Sequence, residues 1–260
     1  GLQFIVMEAG QQNKMEKIIG LIPSRLGSKR LPGKALADLS GMPVVVHVAK
    51  RALLSNQLNE VIVCTDSQEI IDTCSRFGVR SILTSSDCRN GTERIASVAN
   101  KFDFDFAIDI QGDEPLVNPY HIDLVAKSIS KNTKNEDIII PTLEVPYTSP
   151  ETIVRVQSSL TGRIMTLSRA NIPHRYSVPV NTIQKHLSVI GFTKDALNKY
   201  AELEPTINEI SEDIELLRAL ENDMKLYSIP VEGNSFSIDV QDDLLKARVA
   251  IKSDKFFGQY

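Results

Sequence analysis

Short runs of uninterrupted apolar residues, separated by stretches of helical periodicity, limit this chain more than any other feature. Ile18-Ile19-Gly20-Leu21-Ile22 shows no polar alternation, the pattern of a strand covered on both faces. Pro23 is expected to end that strand, before a polar stretch from Ser24 to Lys34. Pro43 then opens a helix carrying Val44, Val48 and Ala52 at helical spacing, proline being tolerated in a first turn. Val61–Thr65 reads as a second buried strand, and Asp66-Ser67 as the cap of a helix facing inward with Ile70, Ile71 and Cys74 until Gly78. A third strand is expected over 81–84, a helix over 91–101, and a fourth strand over 106–110 that runs into Gln111-Gly112-Asp113-Glu114-Pro115. Strand-helix repetition of this kind predicts an α/β fold, Rossmann-like, with a mostly parallel sheet. Ligands in such sheets lie beyond the carboxyl ends of the strands. That rule nominates Ser24–Lys34 and Gln111–Pro115.

The rhythm changes after about residue 138. Strands are expected at 138–146, 153–157, 163–168 and 186–192 without intervening helices, suggesting a β-rich lobe over about 138–192 that covers the site or builds a dimer interface. Helices are expected at 194–202 and 208–222, strands at 225–231 and 236–239, and a last helix from about Gln241. Residues 15–260 read as one domain carrying that lobe. Residues 1–14 read as a tail or cloning remnant, with Met15 as a natural start.

Charge narrows the function. Twenty-nine basic residues stand against 33 acidic ones, a net of −4, which disfavours a general nucleic-acid binder. The longest apolar runs fall far short of the ~20 residues of a membrane span. Cys64, Cys74 and Cys88 are odd in number and lack metal-ligand spacing, so reduced thiols of a cytoplasmic protein are expected.

Phosphate chemistry must therefore come from a local cluster. The loop after the first strand holds Arg25, Lys29, Arg30 and Lys34 with Gly27 and Gly33. Glycine-containing turns offer backbone N–H groups to phosphate oxygens, and the cations neutralise them. The spacing fits neither a Walker loop nor a GxGxxG fingerprint. Asp113, directly after a buried strand, suits Mg²⁺, which takes one or two carboxylates plus substrate phosphates; the alternative is a turn or helix cap. Asp239, before the last helix, could complete the metal pair or cap that helix. Gly91-Thr92-Glu93-Arg94 could reach a ligand or cap a turn. His186 reads more readily as structural, and His47 as core or surface. No nucleophile elbow or Ser-His-Asp order is evident, so no covalent intermediate is required.

These segments carry a resemblance. Ile22-Pro23-Ser24-Arg25 with Ser28-Lys29-Arg30-Leu31-Pro32-Gly33-Lys34 is similar to the signature of sugar-activating cytidylyltransferases. Cys64-Thr65-Asp66, Gly91-Thr92-Glu93-Arg94 and Gln111-Gly112-Asp113-Glu114-Pro115 narrow it to the 3-deoxy-manno-octulosonate (Kdo) cytidylyltransferase family. Leu167–Pro173, Lys185-His186-Leu187 and Ile238-Asp239 follow in the family's order, so the likeness spans about 17–252.

The resemblance implies transfer of CMP from CTP to the anomeric hydroxyl of Kdo, with release of pyrophosphate and a requirement for Mg²⁺. It implies that Arg25, Arg30 and Lys34 hold the triphosphate, that Asp113 and Asp239 hold the metal, and that Pro23, Ser24 and Gln111 line the base and ribose pocket. Arg25, Lys34, Asp113 and Asp239 form its catalytic set. Arg94, Gln111 and His186 would contact the sugar, with Glu212 and Glu215 as hydroxyl acceptors. It further implies a cytoplasmic homodimer serving lipopolysaccharide synthesis. The chain departs from the family pattern mainly on the sugar side: Leu216 replaces a glutamine, Arg155 a lysine, and Ile190 and Phe192 stand where tyrosines are usual. Val240-Gln241-Asp242 likewise departs from T-P-E after the last motif aspartate. A related acidic sugar, or a nucleotide binder without turnover, are the alternatives these departures leave open.

Overall fold

The structure is a computed structural model that describes residues 15–260; the assignment of 1–14 as a tail lies outside the described residues. The first half alternates as expected: β1 (Ile18–Ser24), the short pair β2 (Asp38–Leu39) and β3 (Met42–Pro43), α1 (Val44–Ala52), β4 (Glu60–Thr65), α2 (Gln68–Arg76), β5 (Ser81–Leu83), α3 (Gly91–Ala96), β6 (Phe106–Ile110) and α4 (Pro119–Lys131). The second half runs β7 (Ile138–Pro146), β8 (Arg155–Ser158), β9 (Ile164–Ser168), β10 (Thr182–His186), β11 (Val189–Thr193), α5 (Lys194–Glu202), α6 (Ile207–Glu212), α7 (Glu215–Glu221), β12 (Leu226–Val231) and α8 (Gln241–Ala250).

All but β2 and β3 of these strands join one sheet in the order β5-β4-β1-β6-β11-β7-β10-β8-β9, with β12 also on β7. The block β5-β4-β1-β6 is parallel throughout. Beyond it, β11 pairs antiparallel with β6, and β7, β10, β8 and β9 continue antiparallel, while β12 lies parallel to β7. The strands of 138–192 thus extend the same hydrogen-bonded sheet.

Both faces of the parallel block are covered, which explains its unbroken apolar runs. Ile19, Leu21, Ile62 and Ala107 meet Ile95, Leu197 and Leu217 from α3, α5 and α7. Alternate residues Ile22, Val63 and Ile108 point the other way, to Val45, Val48, Ile70 and Val125 from α1, α2 and α4. Each such side chain contributes roughly 1.5–3 kcal/mol by leaving water. A smaller cluster of Leu39, Val44, Ile238, Leu244 and Ala247 seats α8 against the sheet. Cys64, Cys74 and Cys88 are all free.

Five sequence expectations need correction. β1 continues through Pro23 to Ser24, because pairing with β6 stops at Leu21 and only the β4 side remains bonded there, an edge-like setting that accepts proline. The helix expected over 91–101 stops at Ala96, where the Ser97 hydroxyl donates back to the Arg94 carbonyl at 2.7 Å. The strand expected over 186–192 is two strands, since β10 pairs with β8 and β11 pairs with β6, and the chain changes partner at Leu187-Ser188. The helix expected over 208–222 is broken by Asp213, whose φ of 52° is left-handed. Residues 236–239 form no strand; this segment is tied instead by the Ile238 N–H to the Asp113 carbonyl at 2.9 Å.

Candidate active site

The site forms where β1 and β6 end. Gly112 is required there: a Cβ on it would stand 2.8 Å from the Pro23 carbonyl oxygen. Gly91, at the start of α3, leaves a similarly tight fit against the Pro23 ring, 3.1 Å from where its Cβ would be. These close approaches bring Pro23, Ser24, Gly91 and Gln111 together. The basic loop folds back on itself, with the N–H groups of Ser28 and Gly33 both donating to the Leu26 carbonyl. Gly33 has a φ of 71°, which favours glycine.

The loop meets both expected carboxylates. Lys34 Nζ donates to Asp113 Oδ2 and to the Ile238 carbonyl, each at 2.8 Å, and stands 3.7 Å from Asp239 Oδ1. Arg30 reaches Asp239 Oδ1 at 2.8 Å. Asp113 and Asp239 come from segments 126 positions apart, and the Ile238–Asp113 backbone bond joins them. Two carboxylates on one ammonium form a hard oxygen donor pair of the type Mg²⁺ accepts beside phosphate oxygens. No group of three or more His, Cys, Asp or Glu among the described residues is arranged to hold a metal ion; Asp113 and Asp239 would hold Mg²⁺ as a pair beside phosphate oxygens. The residues fit the ion.

Two chambers border the pair. One, of about 700 Å³, is lined by Pro23, Ser24, Arg25, Lys29, Lys34 and Gly91 among others. Arg25 and Lys29 line it with no ion pair among the described residues. The other, of about 550 Å³, is lined by Glu114, Arg169, Lys185, His186, Ser188 and Leu216 among others. Arg30, Gln111, Asp113, Asp213, Glu215 and Asp239 border both. A cation-rich chamber and a mixed chamber thus share a wall containing both aspartates.

The residues expected at the sugar separate in this geometry. His186 lies in the second chamber, where its Nδ1 is 2.7 Å from the Leu187 carbonyl. That oxygen only accepts, so Nδ1 carries the proton and Nε2 is left as an acceptor. Burial lowers the His186 pKa to about 4, and the ring is neutral. Gln111 sits on the shared wall. Arg94 lies on the first chamber instead, buried and bonded to Thr84 Oγ1 at 2.6 Å, to the Ser85 carbonyl and to Asp66.

Glu212 borders neither chamber; its Oε2 accepts from Ser168 Oγ at 2.8 Å and from the Arg169 N–H at 2.6 Å. Its neighbour Asp213 takes the place at the wall, because the left-handed turn between α6 and α7 reverses the chain there. Glu215 accepts from the Gly91 and Thr92 N–H groups and the Thr92 hydroxyl. It thereby caps α3 while facing both chambers.

Sequence reasoning passed over Lys185, Arg169 and Glu114 as site residues, although all three lay inside segments it singled out. Lys185 Nζ donates to Ser235 Oγ at 2.7 Å. The Arg169 guanidinium donates to the carbonyls of Thr152, Glu212 and Asp213. Burial, reinforced by the Asp113 charge, lifts the Glu114 carboxyl to about 7. Lys185 and His186 both line the second chamber, at the end of β10.

The cytidylyltransferase family profile matches residues 19–226. A 3-deoxy-manno-octulosonate cytidylyltransferase of Acidobacterium capsulatum is 34% identical over 229 residues, 87% of this chain and 93% of that one. One of Chlamydia trachomatis serovar L2 is 35% identical over 238 residues, 88% and 92%. Among solved structures, a CMP:2-keto-3-deoxy-manno-octonic acid synthetase complexed with CTP superposes with a TM-score of 0.86 at 27% identity, covering 91% of this chain and 99% of that one. A cytidylyltransferase of Leptospira borgpetersenii, at 17% identity and a TM-score of 0.65, shares the fold. A nucleotidyltransferase sheet, a basic loop facing two aspartates and these relatives converge: the chain belongs to the cytidylyltransferase family, in its 3-deoxy-manno-octulosonate cytidylyltransferase branch.

Proposed function

We propose that this enzyme transfers CMP from CTP to the anomeric hydroxyl of Kdo, or a close 2-keto sugar acid, and releases pyrophosphate. The single observation that carries this reading is the pair of chambers sharing Asp113, Asp239 and Gln111 on one wall. Such an arrangement sets two substrates against each other at one point, which removes much of the entropic barrier of a two-substrate reaction.

The triphosphate lies in the first chamber, where Arg25, Lys29, Arg30 and Lys34 oppose its charge and Pro23 and Ser24 border the nucleoside. The sugar acid lies in the second, with His186 Nε2 as an acceptor for a hydroxyl and Lys185 as a nearby cation. Asp113 and Asp239 would hold Mg²⁺, and the ion would supply positive charge against the negative charge that develops during transfer. The hydroxyl attacks the α-phosphorus from the second chamber, and the P–O bond to pyrophosphate breaks on the side of the basic loop. Lys34, held between both aspartates and the Ile238 carbonyl, is placed to stabilise the departing charge. The same reading carries a cytoplasmic homodimer that supplies an activated sugar for lipopolysaccharide synthesis.

The test is pyrophosphate release from CTP and Mg²⁺ with Kdo, beside N-acetylneuraminate and other 2-keto acids. Turnover with Kdo at an ordinary enzymatic rate is expected, with Leu216 tolerated in the chamber wall. Turnover only with another acid would move the substrate, and none with any acid would overturn the transferase reading.

A further inference from the structure

One buried acid has no task in the scheme above. Asp109 lies on β6 in register with Leu21 of β1 and Ile190 of β11, so its row across the sheet is otherwise apolar. It is fully buried, with 0% exposure. A carboxyl group in such a row is costly to fold around, and an aliphatic side chain would fill the place at less expense of stability. Its hydrogen-bonding partner among the described residues is the Gln111 side chain, whose Nε2 stands 3.2 Å from Asp109 Oδ1 and 3.3 Å from Oδ2.

That contact decides which end of the Gln111 amide meets substrate. The NH₂ group is drawn down toward Asp109, beside the start of α3, where the position of a Gly91 Cβ would be 3.7 Å from it. Gln111 lines both chambers, and with its NH₂ turned to Asp109 the amide oxygen is the end left to meet a ligand there. Released from Asp109, the amide could present either end, since its two ends are nearly isosteric.

We infer that Asp109 is a positioning residue for the transfer reaction: it holds the Gln111 amide so that a hydrogen-bond acceptor, not a donor, faces the sugar acid at the chamber junction. The acceptor selects a substrate hydroxyl at that point. Specificity built on a satisfied buried hydrogen bond discriminates more sharply than an apolar contact. Burial raises the Asp109 pKa well above the ordinary carboxylate range, with Glu215 adding to the rise. This contact needs an acceptor oxygen at position 109, which an asparagine also supplies.

The inference rests on the transferase reading, and three variants separate the two. In Asp109→Ala, the KM for the sugar acid rises at least tenfold while the KM for CTP stays within twofold. In Asp109→Asn, which keeps an acceptor toward Gln111, the sugar KM returns to within threefold of the parent. In the Gln111→Leu background, Asp109→Ala adds no further loss. The inference is overturned if Asp109→Ala matches an active parent, if Ala and Asn variants are equally impaired, or if both KM values rise together. An inactive parent would sink the transferase reading instead.

A second measurement uses the unaltered protein and needs no turnover. The side-chain NH₂ of Gln111, assigned in NMR spectra by its loss in Gln111→Leu, is expected to exchange slowly with solvent. Fast exchange would overturn the inference even if Asp109→Ala failed to fold.

Discussion

The two chambers are built in opposite ways. The nucleotide chamber draws mainly on three runs: the end of β1 with the loop after it, from Pro23 to Ala35; the start of α3 with the residues before it, from Cys88 to Arg94; and Gln111 to Asp113 after β6. The sugar chamber is collected from Thr152–Val154, Arg169, the β10–β11 break, the α6–α7 break and Ser237. Apart from the shared wall, one comes from a few runs of near-consecutive residues; the other comes from smaller pieces of more segments. The nucleotide side should therefore respond to single charges, and the sugar side also to residues that only hold segments in place.

The border belongs to both and should show the largest effect. Asp113→Asn keeps the shape but removes a carboxylate facing Lys34, and pyrophosphate release is expected to fall about 10³-fold, roughly 4 kcal/mol of barrier. Retained turnover in a folded variant would remove the metal-holding role from Asp113. Next comes the packing behind the sugar chamber. Arg218, 1% exposed, donates to Glu209 at 2.6 and 2.7 Å and to Glu93 at 2.6 Å. Arg218→Met leaves these carboxylates without their buried cation, and a loss of about 3 kcal/mol is expected, seen as a fall in melting temperature. In the surviving folded fraction the sugar KM should rise more than the CTP KM, because α7 carries Glu215 and Leu216. Equal rises would erase the contrast between chambers.

A smaller, one-sided effect is expected from Arg25→Ala. This exposed cation lines only the nucleotide chamber, so the CTP KM should rise about tenfold with the sugar KM unmoved. A change in both would show that the chambers are coupled through the basic loop.

The smallest effect is a pH slope. Glu114 has a folded pKa of about 7, above its unfolded value, so the native state binds the extra proton between roughly pH 4.5 and 7. Its contribution to stability is full below that window and is lost as pH rises through it. His186, lowered to about 4, acts oppositely: stability rises with pH between about 4 and 6.5, as the unfolded state gives up its proton. Comparing melting temperatures of the parent and Glu114→Gln across pH 4.5–7 isolates the first term. The parent should lose stability relative to the variant at no more than about 1.4 kcal/mol per pH unit. A parallel pair of curves would place Glu114 outside the titration.

Much of this was readable along the chain. The apolar runs at 18–22, 61–65 and 106–110 announce strands covered on both faces, and the cations after the first run announce where phosphate would go. Asp113 could be placed because it follows its strand directly. Glu212 could not be told from Asp213, because a helical pattern continues through both until a left-handed turn at 213 breaks it. Lys185 was hidden for a related reason: strand alternation puts neighbours on opposite faces, so a pattern that singles out His186 passes over the residue beside it, yet both line one cavity. Asp109 reads as one polar residue in an apolar strand, and its meaning depends on the Gln111 amide above it.

By itself, then, the sequence determined the parallel half of the sheet, the cationic loop and the first aspartate, since each follows from a few consecutive residues whose periodicity and charge act locally. The tertiary structure decided that Asp239 joins Asp113, that Glu212 turns away to Ser168 and Arg169, and that the Gln111 amide turns its NH₂ to Asp109. Those outcomes depend on backbone bonds and buried partners contributed by segments far apart in the chain, where no local pattern records which side chain will find which.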